Sequence, residues 1–297
     1  MLEIAGHTLG TPHQTVPEAL RLFGSAGLDA AEVIWQDDYR SGIPETGSNA
    51  VLSEISRVSD DVGVPVIGLT PYMTGLNSLD DAERRGDIDR FRRCLIDAHS
   101  LGAHVIRVYA GSYSPAEDSV RSAKWERLVG SLRELGPDAL AAGVTLVVEN
   151  HFNTMTVSAA ETVELMRAVD DPGVGILYDQ ANLTFTHCED YPEAVAVQAP
   201  WIRHVHAKDL VFTDPDRAFS ASAVATVESS KRAVASRVVG DGILDWAAIL
   251  SRVRAGGYNG YVSLEYEYRW HPSDLPPPAE GFRRGASRLR ELMAAAS

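Results

Sequence analysis

Eight short apolar runs, each followed by a stretch with helical periodicity, limit what this chain of 297 residues can fold into. The runs are rich in Val, Ile and Tyr and fall near 2–7, 29–35, 64–69, 103–109, 144–149, 174–179, 201–206 and 261–265, which reads as strands. Helical patterns fill about 48–62, 87–101 and 117–142 and recur after each later strand. The first helix opens at Thr15-Val16-Pro17-Glu18, with proline just inside its start. Strict alternation of β and α argues for a parallel sheet. Eight repeats argue for closure into a single (β/α)8 TIM barrel spanning residues 1–297 as one domain. An open doubly wound sheet would want a glycine-rich phosphate turn after the first strand, and Gly6-His7-Thr8-Leu9-Gly10-Thr11-Pro12 does not match it.

Charge and cysteine usage exclude several functions. With 27 basic and 41 acidic residues the net charge is −14, which disfavours a nucleic-acid footprint built on clustered Lys and Arg. No segment approaches 18 uncharged apolar residues, so no membrane span is expected. The start, Met1-Leu2-Glu3-Ile4-Ala5-Gly6-His7, lacks a basic region and a long apolar core. Cys94 and Cys188 have neither metal nor redox spacing and read as free thiols, consistent with a cytoplasmic location.

Four of the eight runs end in a side chain able to bind a metal: Glu149, Asp179, His206 and Glu265. The first three are about one βα unit apart. His206 and Glu265 are nearly two units apart, so a long insertion, roughly 210–239 and including Ala218 to Ala235, is expected after the seventh strand. An extended loop from Tyr268 to Pro278 follows the eighth, and both should overhang the mouth where this fold carries its chemistry. Alternation along a strand puts His151 on the face of Glu149, His204 and Lys208 on that of His206, and Glu267 on that of Glu265. An oxygen-rich set with one imidazole favours one divalent ion, Mn²⁺ first with Mg²⁺ or Co²⁺ as alternatives, over a thiolate zinc site. An ion preferring about six ligands keeps two positions for adjacent oxygens of a hydroxyketone or hydroxyaldehyde, lowering the cost of an enediolate. Two glutamates beside it can remove and return the proton.

Several stretches together resemble the xylose-isomerase-like barrel superfamily, in its sugar phosphate isomerase/epimerase group. They are Val147-Val148-Glu149-Asn150-His151, Tyr178-Asp179, His204-Val205-His206-Ala207-Lys208-Asp209, Gly240-Asp241-Gly242-Ile243-Leu244-Asp245-Trp246 and Gly256-Gly257-Tyr258-Asn259-Gly260-Tyr261-Val262-Ser263-Leu264-Glu265. The resemblance implies that Glu149, Asp179, His206 and Glu265 hold one divalent ion and that Glu149 and Glu265 are the acid/base pair. It also implies a substrate-binding role for Arg237. Many relatives carry histidine three residues after the sixth-strand aspartate, where this chain has Asn182, which can hydrogen-bond a hydroxyl but not titrate near neutrality.

Beside these, His151, Asn182, Lys208, Glu32 and Trp35 are the other candidate substrate contacts. Glu32 alternatively supports the ligands, Lys208-Asp209 alternatively forms a local ion pair, and His204 is read as a hydrogen-bonded interior residue. Trp35, Trp270 and His271 would wall a sugar or pack the lids. The expected activity is that of a metal-dependent isomerase or 3-epimerase of a ketose or related keto-sugar, without phosphate. The alternative is a lyase on the same scaffold, eliminating from a keto-inositol or 3-keto-glycoside. A nuclease of the apurinic-site type would need more histidines and a basic groove, and a non-catalytic sugar binder would have shed the two glutamates. Similar proteins suggest a homo-oligomer, dimer or tetramer, with a small-molecule sugar as partner.

Overall fold

Strands buried on both faces must be apolar in near-continuous runs, and these are. The computed structural model describes residues 2–186, 189–214 and 232–295. Its strands are β1 (Glu3–His7), β2 (Ala30–Trp35), β3 (Gly42–Ile43), β4 (Val66–Thr70), β5 (Val105–Tyr109) and β6 (Thr145–Glu149), then β7 (Val174–Asp179), β8 (Ile202–Ala207), β9 (Asp209–Phe212), β10 (Val234–Arg237) and β11 (Tyr261–Leu264). Going round, β1, β2, β4, β5, β6, β7, β8 and β11 pair in parallel, and β11 returns to β1 with Ile4 opposite Val262, so the sheet closes into a single (β/α)8 barrel. The two-residue β3 only extends β2 on the outside.

The helices α1 (Val16–Ala26), α2 (Asn49–Val62), α3 (Asp81–Leu101), α4 (Arg121–Ala141) and α5 (Ala159–Val169) follow the early strands. After them come α6 (Gln180–Phe185), α7 (Tyr191–Gln198), α8 (Trp246–Ala255) and α9 (Pro278–Ala295). Helix α1 begins where the sequence indicates, with a reciprocal capping box between Thr15 and Glu18. Helix α3 starts earlier than its apolar pattern suggests, because the Asp80 carboxylate accepts the N–H groups of Ala82 and Glu83. Two cores result. A lower interior layer holds Ala5, Ala30, Ile67, Val105, Val147 and Leu177. A larger shell between barrel and helices includes Phe23, Phe91, Leu132, Ile249 and Phe282. Buried Cys94 is a free thiol, as expected, while Cys188 lies outside the described residues. Among the described residues no helix is long and apolar enough to cross a membrane.

The insertion after β8 begins and ends as an antiparallel ribbon, β9 on β10, with Asp209 opposite Arg237. Most of the Ala218–Ala235 stretch falls outside the described residues. The buried Asp209 carboxylate accepts the N–H groups of Leu210, Gly240, Gly242 and Leu244 at 2.9–3.2 Å, closing the base of the insertion. Its far side is tied to the loop after β11: Arg232 grips Asp274 with two bonds of 2.7 and 2.8 Å, and Ser236 N–H donates to the same carboxylate.

Trp35 is not at the mouth, contrary to the sequence reading. With Glu32 facing inward, the alternation of β2 turns Trp35 outward. Its indole N–H donates to Asp97 Oδ2 of α3 at 2.8 Å, and the ring is fully buried in the outer shell. Trp35→Phe should therefore cost about 1–3 kcal/mol of stability, because it leaves a buried carboxylate unpaired. Urea unfolding should show that loss, while a metal titration of the same variant should match the unaltered protein.

Candidate metal centre

Four neighbouring strand ends converge. Glu149 closes β6, Asp179 closes β7, His206 lies on β8 opposite Asp179, and Glu265 directly follows β11. One ligand atom from each of the four lies within 4.8 Å of the other three. Glu149, Asp179 and His206 are wholly buried and Glu265 nearly so. Each is held by its second atom. Asp179 caps α6, its Oδ1 accepting the N–H of Asn182 at 2.9 Å. Glu149 Oε1 accepts from Asn182 Nδ2 at 3.1 Å. His206 Nε2 meets Glu32 Oε2 at 2.9 Å, which turns Nδ1 toward the cluster. Glu265 Oε2 accepts from Lys208 Nζ at 2.7 Å.

The remaining atoms identify what would fit. Glu149 Oε2, Asp179 Oδ2 and His206 Nδ1 are buried without a hydrogen bond. Lys208 Nζ is 3.1 Å from Asp179 Oδ2, an ion pair without hydrogen-bond alignment, and Nδ1 stands 3.5 Å from Glu265 Oε2. Unpaired buried polar atoms are rare and costly. Three of them converging, in an oxygen-rich set with one imidazole whose far nitrogen is fixed by a carboxylate, suit a hard divalent cation.

The electrostatics fit the same conclusion. Burial, then the charge of Glu265, raises the Glu149 carboxyl above its ordinary range. Burial pushes Asp179 up to about 7, with Lys208 working against it. Glu265 behaves oppositely: burial would raise it, but the Lys208 and His206 cations hold it well below the usual carboxylate range. For His206, burial disfavours the charged ring, yet Glu32 and Glu265 keep it well above its usual value. Lys208 is likewise kept charged against burial by Asp179, Glu265 and Glu267.

The other residues predicted for the site divide into three groups. His151 sits at the rim as parity requires, its ring 4.8 Å from Tyr109, Nδ1 against its neighbour Phe152's carbonyl, and burial lowers it to about 3. Lys208 is central, and Glu267 lies 3.6 Å from its Nζ. Asp209 points instead to the insertion's backbone, so Lys208-Asp209 is not a local ion pair. Glu32 and Asn182 serve as supports: Glu32 Oε2 holds His204 and His206 (3.2 and 2.9 Å), and Asn182 Nδ2 bonds Glu149 and the Asn150 carbonyl. Arg237 donates to the carbonyl of Ser236, and among the described residues it is the Ser236 hydroxyl that reaches Glu267, at 3.2 Å. Sequence reasoning left Arg107, Tyr109 and His7 unassigned. Arg107 and Tyr109 pair across to Val147 and Glu149, hence face inward, and the Arg107 guanidinium lies 4.3 Å from the ring centres of both Tyr72 and Tyr109. His7 pairs with Glu32 in register, faces inward edge-on to His206, and is lowered to about 4 by burial.

An ion entering this centre must displace protons. His206 gives up one at any pH near neutrality, and Asp179 a second below its pKa of about 7. Affinity for Mn²⁺ should thus rise with pH and rise more gently above 7. Calorimetry in buffers of different ionisation enthalpy should show proton release falling from about two to about one per ion through that pH.

Comparison with known proteins agrees with the fold. The chain is 29% identical over 144 residues to the inosose dehydratase of Geobacillus thermodenitrificans, covering 48% of this chain and 47% of that one; it spans about half the length of such curated relatives. A crystal structure of D-psicose 3-epimerase with D-fructose superposes with a TM-score of 0.75 at 19% identity, covering 98% of this chain and 99% of the other. A barrel protein of Mycobacterium smegmatis in complex with magnesium superposes at 0.74 and 17% identity, covering 100% and 98%. The family model described as xylose isomerase-like TIM barrel matches residues 20–292, and the chain belongs to that family.

Proposed function

We propose that this protein is a divalent-metal-dependent isomerase or 3-epimerase of a ketose or related keto-sugar. The observation carrying the reading is the pair Glu149 and Glu265, two buried carboxylates that converge with Asp179 and His206 in one cluster. Glu149, Asp179, His206 and Glu265 would hold the ion. Mn²⁺ is the first choice and Mg²⁺ or Co²⁺ the alternatives, an order the hard donor set supports. When bound, the ion supplies a Lewis acid that polarises a ketone and its neighbouring hydroxyl.

Glu265, paired with the Lys208 cation at 2.7 Å, takes the proton from the carbon beside the carbonyl. Glu149 delivers one from its own side of the cluster. Lys208 Nζ, at 2.7 Å, steadies Glu265 in the orientation that abstraction needs. Asn182 keeps Glu149 in place through its amide.

The inosose dehydratase relatives favour a second reading, a lyase. The same abstraction by Glu265 would be followed by loss of the hydroxyl on the next carbon, which departs as water with a proton from Lys208. In either case the substrate is a small, unphosphorylated polyhydroxy ketone, and the working form is a cytoplasmic homo-oligomer.

Incubating the Mn²⁺-loaded protein with ketoses, keto-inositols and 3-keto-glycosides in D₂O, followed by NMR, separates the readings. Deuterium entering a recovered or epimerised substrate supports the first, and an enone with loss of water the second. No exchange in any of them would sink both. Glu149→Gln and Glu265→Gln should each reduce turnover by about 10²–10⁴-fold. Full turnover in both variants, with metal still bound, would remove the two-glutamate mechanism.

A further inference from the structure

The half of the barrel mouth without metal ligands also carries buried polar atoms that lack a hydrogen bond. They are His7 Nε2 on β1, Glu32 Oε1 on β2, Thr70 Oγ1 on β4, the Tyr72 hydroxyl just beyond it, and Arg107 Nε on β5. His7, Glu32 and Arg107 are 0–1% exposed. The tautomer of His7 follows from its neighbour: the Leu9 N–H donates to Nδ1 at 2.9 Å, so the hydrogen of the neutral ring sits on Nε2. That atom is a donor with nothing to donate to. Glu32 is complementary. Its Oε2 is taken by His204 and His206, and its Oε1 is an acceptor with nothing to accept. Ligand atoms of His7, Glu32 and His206 lie within 4.8 Å of one another, so the pair directly adjoins the metal centre.

A donor and an acceptor side by side match a group that both accepts and donates, which is a hydroxyl. A phosphate or carboxylate would meet the Glu32 charge with no proton to offer it. The interior layer beneath is apolar, so the partner must enter from the mouth.

We propose that this half of the mouth is a polyol subsite, in which a hydroxyl on a non-reacting carbon of the substrate accepts from His7 Nε2–H and donates to Glu32 Oε1. Thr70, Tyr72 and Arg107 offer further hydroxyl contacts along the same arc. The assignment rests on the reading of the substrate as a polyhydroxy ketone. It makes selectivity a matter of hydroxyls remote from the reacting carbon, because an analogue lacking that hydroxyl leaves both buried groups unpaired.

The test uses unreactive polyols (myo-inositol, xylitol and ribitol) titrated calorimetrically into the Mn²⁺-loaded protein. At least one should bind. His7→Phe, which keeps the bulk of the ring and removes the donor, should weaken that binding about tenfold or more. His7→Gln, which restores an amide N–H, should recover most of the loss, and Mn²⁺ affinity without polyol should change by less than about twofold in both variants, since His206 is oriented by its bond to Glu32 and not by His7. Unchanged polyol affinity in His7→Phe would overturn the assignment. So would failure of His7→Gln to recover binding, or failure of every polyol to bind the unaltered protein. A parallel fall in Mn²⁺ affinity would instead put His7 among the metal supports and equally overturn it. Polyols have no proton made acidic by a carbonyl, so this result is independent of the solvent-exchange experiment that tests the proposed activity.

Discussion

The upper layer of this barrel depends on keeping four buried carboxylates, Glu32, Glu149, Asp179 and Glu265, in one small volume. Unscreened repulsion in a poorly polarisable interior would expel or protonate them. Lys208 reaches two of them, Arg107 lies 3.6 Å from a third, and a protonated His206 stands between Glu32 and Glu265. Three positive groups thus face four negative ones, and the deficit falls on Asp179, whose carboxyl rises to about 7. A divalent ion would relieve it. Its two charges replace the single charge lost from His206, bringing the layer to balance. The same compensation explains why Glu32, which contacts no other ligand of the set, matters: its carboxylate decides which nitrogen of His206 faces the centre.

Closure of the sheet makes that balance possible. Side chains from β6, β7, β8 and β11 converge because parallel strands in a closed ring bring their C-terminal ends together, whatever their separation in sequence. The apolar layer beneath excludes water from below. The base of the β9–β10 insertion and the loop after β11 are joined through Arg232, Asp274 and Ser236.

Much of this was legible in the sequence, for physical reasons that differ by residue. The strands and the four converging side chains could be read because an apolar run ending in a carboxylate or imidazole is a local pattern. His151 and Glu267 followed from alternation alone. Trp35 was misplaced although alternation from Glu32 would have turned it outward, since aromatic character was weighed above parity. Asn182 was read by its chemistry as a substrate contact; that a helix beginning directly after Asp179 also brings its amide onto Glu149 had no local signal. The partners of Lys208 come from the ends of β7 and β11 through closure of the barrel, and the surroundings of Arg237 from pairing in the β9–β10 ribbon, neither of which a local pattern encodes. Arg107 and His7 stayed unassigned, because parity could not be fixed at the mouth of the first strand and a lone arginine or histidine on a strand has too many ordinary explanations to stand out.

The four amide hydrogens gathered by Asp209 have a mechanical consequence. They fasten the chain where it leaves β8 to the chain where it turns toward α8, so the excursion between them is closed at its neck. Length and sequence beyond that neck can change without a strain path to Lys208, one residue away. Change beyond the neck is in this sense mechanically separated from the ion pairs that Lys208 makes with Asp179 and Glu265.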